Sequence, residues 1–301
     1  MNAFKRKKNW YSSDRVMPKV LLGFSLISIL TTFAIVFILL KESITFFSSV
    51  SVYDFFTGLK WEPLFAEPKF GVVPLILGTV MITFFSSIVA LPVGLGSAIY
   101  LSEYAPDRVR TIVKPILEIL AGIPTIVYGF FALTFVTPIL QKIIPSTEVF
   151  NALSASIVVG IMIIPMISSL SEDAMMAVPR ALRNGAYAVG STKLEVAIKV
   201  VVPAALSGII ASFVLGLSRA VGETMIVALA AGLQPRISFN PLESIETLTA
   251  YIVQVSAGDI QYGSVEYLSI YAVGITLFAI TLGMNLLANY ISSKFREDYG
   301  G

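Results

Sequence analysis

Two ionisable side chains stand inside an otherwise apolar run, Arg219 and Glu223, in the stretch Ser218-Arg219-Ala220-Val221-Gly222-Glu223-Thr224. A spacing of four places both on one face of a helix, within reach of each other. A guanidinium offers a planar fork of donors that matches the oxygens of an oxyanion such as phosphate. Ionisable groups in an apolar helix are costly to keep. The two therefore mark either an anion pathway or a buried pair that joins helices. Glu118 lies within another apolar run, closer to its cytoplasmic end, and receives no role. Composition limits the remaining chemistry. The 301 residues include no His and no Cys, which excludes imidazole or thiolate metal sites, disulfides, and Cys or His catalysis on this chain. No Gly-x-x-x-x-Gly-Lys-Ser/Thr loop occurs. Gly190-Ser191-Thr192-Lys193 holds those residue types in the wrong order and spacing, so no ATP, Mg or other cofactor site of that kind is expected. No arrangement of carboxylates or serines suggests an enzyme.

The elements that must position Arg219 and Glu223 are membrane spans. Hydrophobic residues make up 56% of the chain and charged residues only 13%, about half the ~25% charge of a soluble domain. Apolar runs near the ~20 residues that cross a bilayer fall at 20–40, 73–101, 116–140, 152–170, 204–233 and 268–290. The fold class expected is therefore all-α, a polytopic membrane protein with six transmembrane helices. Interior prolines (Pro92, Pro124, Pro165) and glycines predict bends, which are tolerated where neighbouring helices or water satisfy the freed backbone.

With the N-terminus inside, the inner segments hold fifteen Lys and Arg residues, from Lys5 to Arg296, and the outer segments five. Both termini are thus expected in the cytoplasm. The run Lys5-Arg6-Lys7-Lys8 reads as an orientation signal, with no nucleic-acid partner, and the first apolar run is too long for a cleavable leader. Three parts follow: 1–72 (tail, first span and an outer segment whose Trp61 suits the membrane interface), 73–290 (the core), and 291–301 (an inner tail). No internal repeat or set of intramembrane charges favours an ion-coupled secondary carrier.

The inner loop 171–203, between the fourth and fifth spans, is amphipathic and rich in small residues. It reads Asn184-Gly185-Ala186, three residues, Gly190, nine residues, Val200, one residue, Val202-Pro203. This resembles the Glu-Ala-Ala signature of binding-protein-dependent ABC importer permeases, with Asn184 in place of Glu and Gly185 in place of Ala. Gly190 supplies a backbone angle that a β-carbon would resist. The stretch around Arg219 and Glu223 is similar to one in phosphate-importer permeases. So are Glu172-Asp173-Ala174-Met175 with Val178-Pro179, Ala121-Gly122-Ile123-Pro124 with Tyr128-Gly129, and Leu101-Ser102-Glu103-Tyr104-Ala105-Pro106. The outer loop before Phe70-Gly71 is similar to the C-type subunit.

The resemblance implies a type I ABC importer permease fold in a bacterial cytoplasmic membrane, and inorganic phosphate as the transported ion, with molybdate or sulfate as the alternative. It implies a homologous permease partner, two ATP-binding subunits that hold ATP and Mg, and an extracytoplasmic phosphate-binding protein. Asn184, Gly185, Ala186, Gly190 and Pro203 would form the ATPase-coupling loop, and Arg219 and Glu223 the substrate pathway.

Overall fold

The computed structural model describes residues 10–294; Lys5, Arg6, Lys7, Lys8 and Arg296 lie outside them. Helix α1 (Trp10–Ser49) turns nearly all its apolar side chains outward, as a helix solvated by lipid does. The short α2 (Val52–Thr57) and a two-stranded antiparallel hairpin, β1 (Trp61–Glu62) and β2 (Lys69–Phe70), form the first outer segment. Then follow α3 (Val73–Ile99), α4 (Asp107–Ala121), α5 (Thr125–Phe131), α6 (Thr137–Ile143), α7 (Ala152–Met176), α8 (Arg180–Ala188), α9 (Lys193–Val196), α10 (Val202–Ala204), α11 (Leu206–Val221), α12 (Met225–Ala230), α13 (Leu248–Ala257) and α14 (Val265–Lys294).

Five of these segments are long and apolar enough to cross a membrane, and the count reaches six when α11 and the helix before it, bent by 73°, are taken as one span. Two expected spans differ in detail. The run 116–140 is not one helix. Residues 116–121 end the separate α4, and Gly122 and Pro124 break the chain before α5, so the third crossing is 125–143. Within α4, Ile112, Ile116 and Ile119 recur at helical spacing on an exposed face, with Arg110, Lys114 and Glu118 on the other. A window average merges that apolar face with the span that follows. The run 204–233 is likewise broken, because α11 stops at Gly222 and α12 starts afresh at Met225.

Three π-helical turns, Tyr100–Tyr104, Ala132–Val136 and Ala197–Val201, share one cause. Each is followed two residues later by a proline: Pro106, Pro138 or Pro203. Proline has no N–H to give to the carbonyl four residues back, so the ladder widens to i→i+5 bonds such as Ala105 N to Tyr100 O at 2.8 Å.

The centre of the molecule is α7, which buries Ala152, Val159, Ile163 and Ile167 against α3, α5 and α12. Small residues allow this approach. A β-carbon on Gly94 of α3 would stand 2.7 Å from Ile167 Cγ2. At one end of the bundle, Phe46, Phe55, Trp61, Phe70 and Tyr251 stack edge to face, with Trp61 and Tyr251 centroids 4.8 Å apart. Trp61 is only 1% exposed. It is therefore a core residue that pins the hairpin to α13, not the lipid-interface anchor its type suggests. A smaller core of Ala98, Met175, Val178, Val196, Val201 and Ile209 lies under the loop of α8 to α10.

Candidate functional site

Arg219 occupies the last turn of α11 with its side chain exposed on the isolated chain. It opens onto a cleft of about 350 Å³. The opposite walls are Lys114, Leu117 and Glu118 of α4 and Met162, Pro165 and Met166 of α7. The cleft between α4, α7 and α11 thus gathers Arg219, Lys114 and Glu118 on apolar walls, with Arg219 and Glu118 exposed on the isolated chain. Glu118, which the sequence leaves without a role, lines this cleft.

The expected pair between Arg219 and Glu223 is not formed. Among the described residues no carboxylate lies within 4.0 Å of the Arg219 guanidinium. The reason is the break in the helix. Val221 ends α11, Gly222 caps it, and the spacing of four no longer corresponds to one helical face. Glu223, 7% exposed, turns instead to the start of α12. Its Oε1 accepts from the backbone N–H groups of Met225 at 3.1 Å and Ile226 at 3.3 Å. These are two of the donors that a helix start leaves unpaired, and the helix dipole favours the negative charge there. The backbone carbonyl of Glu223 accepts from Thr249 Oγ1 at 2.7 Å, which ties the break to α13. Glu223 therefore holds the bend that ends α11, and Arg219 keeps its donors for the cleft.

The inner loop is a tight helix–turn–helix. Helix α8 ends in a Schellman motif: Gly190 N–H donates to Tyr187 O at 3.0 Å and Ser191 N–H to Ala186 O at 3.2 Å. Gly190 has φ of +89° and nothing within 4 Å of a β-carbon, so backbone conformation alone demands glycine there. Two residues on, Thr192 and Glu195 form a reciprocal capping box that starts α9. The Thr192 N–H, with Lys199 and the Thr192 hydroxyl adding to it, pushes the Glu195 carboxyl down to about 2. Asn184 and Gly185 are exposed, Ala186 is half-buried against the inner core, and Pro203 sits exposed at the start of α10. Nothing in this chain requires glycine at 185, where a β-carbon would meet open space. Leu182, Tyr187, Val189 and Leu194 are exposed around the turn, Val189 by 83%. This is an apolar tip suited to a protein partner.

Between the tip and the cleft lies a set of ion pairs that short-range sequence reading missed. Glu103 pairs with Arg183 at 2.9 Å. Glu172, 1% exposed, lies 3.2 Å from Arg110 Nε and 3.3 Å from Lys114 Nζ, and Asp173 pairs with Lys114 at 2.9 Å. The Lys114 contact with Glu172 Oε2 is within charge-pairing distance but not aligned as a hydrogen bond, since that oxygen has no hydrogen-bond donor. The hydrogen bond to Asp173 holds the Lys114 ammonium above its usual range. The charges of Glu172 and Asp173 add to it, and desolvation opposes them. The partners stand about 60 to 80 residues apart in sequence. The only signal was the presence of Glu103, Glu172 and Asp173 inside the motif stretches quoted above.

Comparison with known proteins identifies the family. Residues 90–297 match the family described as "Binding-protein-dependent transport system inner membrane component". The chain is 35% identical over 277 residues to "Probable ABC transporter permease protein YqgH" of Bacillus subtilis (strain 168), covering 88% of this chain and 89% of that one. It is 34% identical over 267 residues to "Phosphate transport system permease protein PstC" of Xylella fastidiosa (strain Temecula1 / ATCC 700964), covering 82% and 81%. Among solved structures, a bacterial alginate ABC transporter in complex with an alginate-bound periplasmic protein superposes with a TM-score of 0.64 at 18% identity, covering 95% of this chain and 97% of that one. The MetNI methionine ABC transporter gives 0.55 at 19%, covering 75% and 94%. At those identities the structures establish the fold, that of type I ABC importer permeases. The chain belongs to the binding-protein-dependent inner membrane component family, and is the multi-pass membrane permease subunit of an ABC importer.

Proposed function

We propose that this permease carries inorganic phosphate across the cytoplasmic membrane, as the C-type subunit beside a homologous permease chain. Two ATP-binding subunits holding ATP and Mg would dock on the inner face, and an extracytoplasmic phosphate-binding protein on the outer face, with both termini cytoplasmic. The observation that carries the reading is Arg219, a guanidinium with no carboxylate in pairing range among the described residues, opening onto a cleft between α4, α7 and α11. Such a fork suits a tetrahedral oxyanion in transit; Lys114 on the same walls is already paired with Glu172 and Asp173, which leaves Arg219 as the cation that faces the anion. Glu223 serves the pathway by holding the bend after α11.

The Val189–Gly190 turn, with Asn184, Gly185 and Ala186 on one side and Pro203 on the other, is the segment we assign to the ATPase. Its apolar tip is exposed and its backbone is fixed by two capping motifs. Support for phosphate over molybdate or sulfate comes from similarity to proteins named as phosphate permeases. Uptake of labelled phosphate by cells expressing the complex, with unlabelled molybdate and sulfate as competitors, tests it. Competition by phosphate alone supports the reading, and uptake blocked by molybdate or sulfate at equal concentration overturns it.

A further inference from the structure

Helix α8 buries none of its own residues, yet one of its side chains is tied into the body of the protein. Arg183 spends its guanidinium on three segments at once. Nη2 donates to Glu103 Oε1 at 2.9 Å and to Met175 O at 2.8 Å, and Nη1 donates to Val178 O at 2.6 Å. Glu103 belongs to the π-helical turn that ends the second crossing, Met175 to the end of α7, and Val178 to the link into α8. The Arg183 and Glu103 side chains are 14% and 5% exposed.

We propose that Arg183 is a positioning residue that makes the coupling helix, the inner end of the second crossing and the inner end of α7 move as one body. The inference deepens the assignment of the Gly190 turn to the ATPase and rests on it. Apolar contacts alone let helices slide past one another. A forked guanidinium bonded to a carboxylate and two carbonyls fixes both distance and angle. A buried pair of this kind adds little net stability over an apolar contact, so its use lies in fixing geometry. The same body continues to the cleft. Arg110 donates to Leu101 O at 2.6 Å and pairs with Glu172. Glu172 also faces Lys114, and Lys114 lines the wall opposite Arg219. A displacement of α8 is thereby handed, through ion pairs, guanidinium–carbonyl hydrogen bonds and the π-helical turn between them, to the residues around the transported ion.

The test uses the complete reconstituted complex in vesicles and compares Glu103→Gln and Arg183→Lys with the parent. Both variants keep a polar side chain but lose a charge or the fork. The ratio of ions transported to ATP hydrolysed should fall about tenfold, within the usual range of coupling between sites, while the ATP-binding subunits stay attached. A purely structural role would lower yield and melting temperature and leave that ratio unchanged. An unchanged ratio in both variants overturns the proposal. If neither variant folds, the cysteine-free chain allows Glu103→Cys with Arg183→Cys joined by a short bifunctional reagent. Cross-linking should raise the ratio several-fold over the unlinked double variant, and no rise overturns the proposal. Val189→Glu separates the two ideas. Loss of ATPase association is expected, and retained association refutes the docking assignment rather than the clamp.

Discussion

Replacing Glu223 tests whether it caps α12 or pairs with Arg219, because the two roles answer differently to Ala and Gln. In the structure its Oε1 accepts two backbone N–H groups, and that of Ile226 is buried. Glu223→Ala removes a cap worth about 1–2 kcal/mol. It also leaves a buried donor unpaired at a further ~1–3 kcal/mol, so a loss of about 3 kcal/mol is expected. Glu223→Gln keeps a carbonyl oxygen in place and loses only the charge–dipole contribution, about 0.5–1 kcal/mol. Hydrogen exchange at the Met225 and Ile226 amides of the purified complex reads this locally. Protection should drop by about two decades in the Ala variant and by less than about one decade in the Gln variant. Adding Arg219→Gln should change protection by the same amount in the parent and in either variant, to within ~0.5 kcal/mol, since the two side chains share no contact. Equal losses for Ala and Gln, or recovery on adding Arg219→Gln, would return the two residues to an ion pair and refute the cap.

Further outcomes follow from the loop, a buried carboxyl and the topology. Gly190→Val places a β-branched residue at φ +89°, at a cost of about 1–2 kcal/mol or more. Co-purification should show the variant in the membrane with weakened ATPase association, and normal uptake would refute the turn's role. Glu246, 1% exposed with Oε1 unpartnered, has its carboxyl pushed up to about 8 from 4.5 by burial. The folded chain then holds a proton that the unfolded chain releases between those values. Stability should therefore fall as pH rises from about 4.5 to 8, by up to about 5 kcal/mol. Glu246→Gln should flatten that slope in thermal melts from pH 5 to 8, and an unchanged slope refutes the assignment. Single cysteines at Thr57 and Asn240, both exposed, should label from outside sealed cells, and one at Val189 only after permeabilisation. Ser244, in the same outer loop, is buried and is expected to resist the reagent.

What the sequence carried was set by what averages along the chain. Six apolar runs, the basic inner loops and the spacing from Gly190 to Pro203 are local or nearly periodic signals, and the structure has helices at each run. Gly190 is the clearest case, since its positive φ follows from the turn that the spacing implies. Two boundaries failed because hydropathy does not record where backbone hydrogen bonds stop. Ile116 and Ile119 look like a span but sit on the exposed face of α4, and Glu223 looks like a helix-face partner but caps the next helix. Trp61 was misread because its type fits both an interface and a core, and only the fold brings Tyr251 beside it. The clamp of Arg183 on Glu103 joins residues 80 positions apart, which one sequence cannot pair.

The most direct measurement is ATP-dependent uptake of labelled phosphate into vesicles containing the whole complex, with parent, Arg219→Lys and Arg219→Gln permeases compared at equal assembly. The parent should show vigorous uptake. Lys, which keeps the charge and loses the fork, should retain a fraction of about one tenth. Gln should show none above background. Parent-like phosphate uptake by Arg219→Gln would contradict the role given to Arg219.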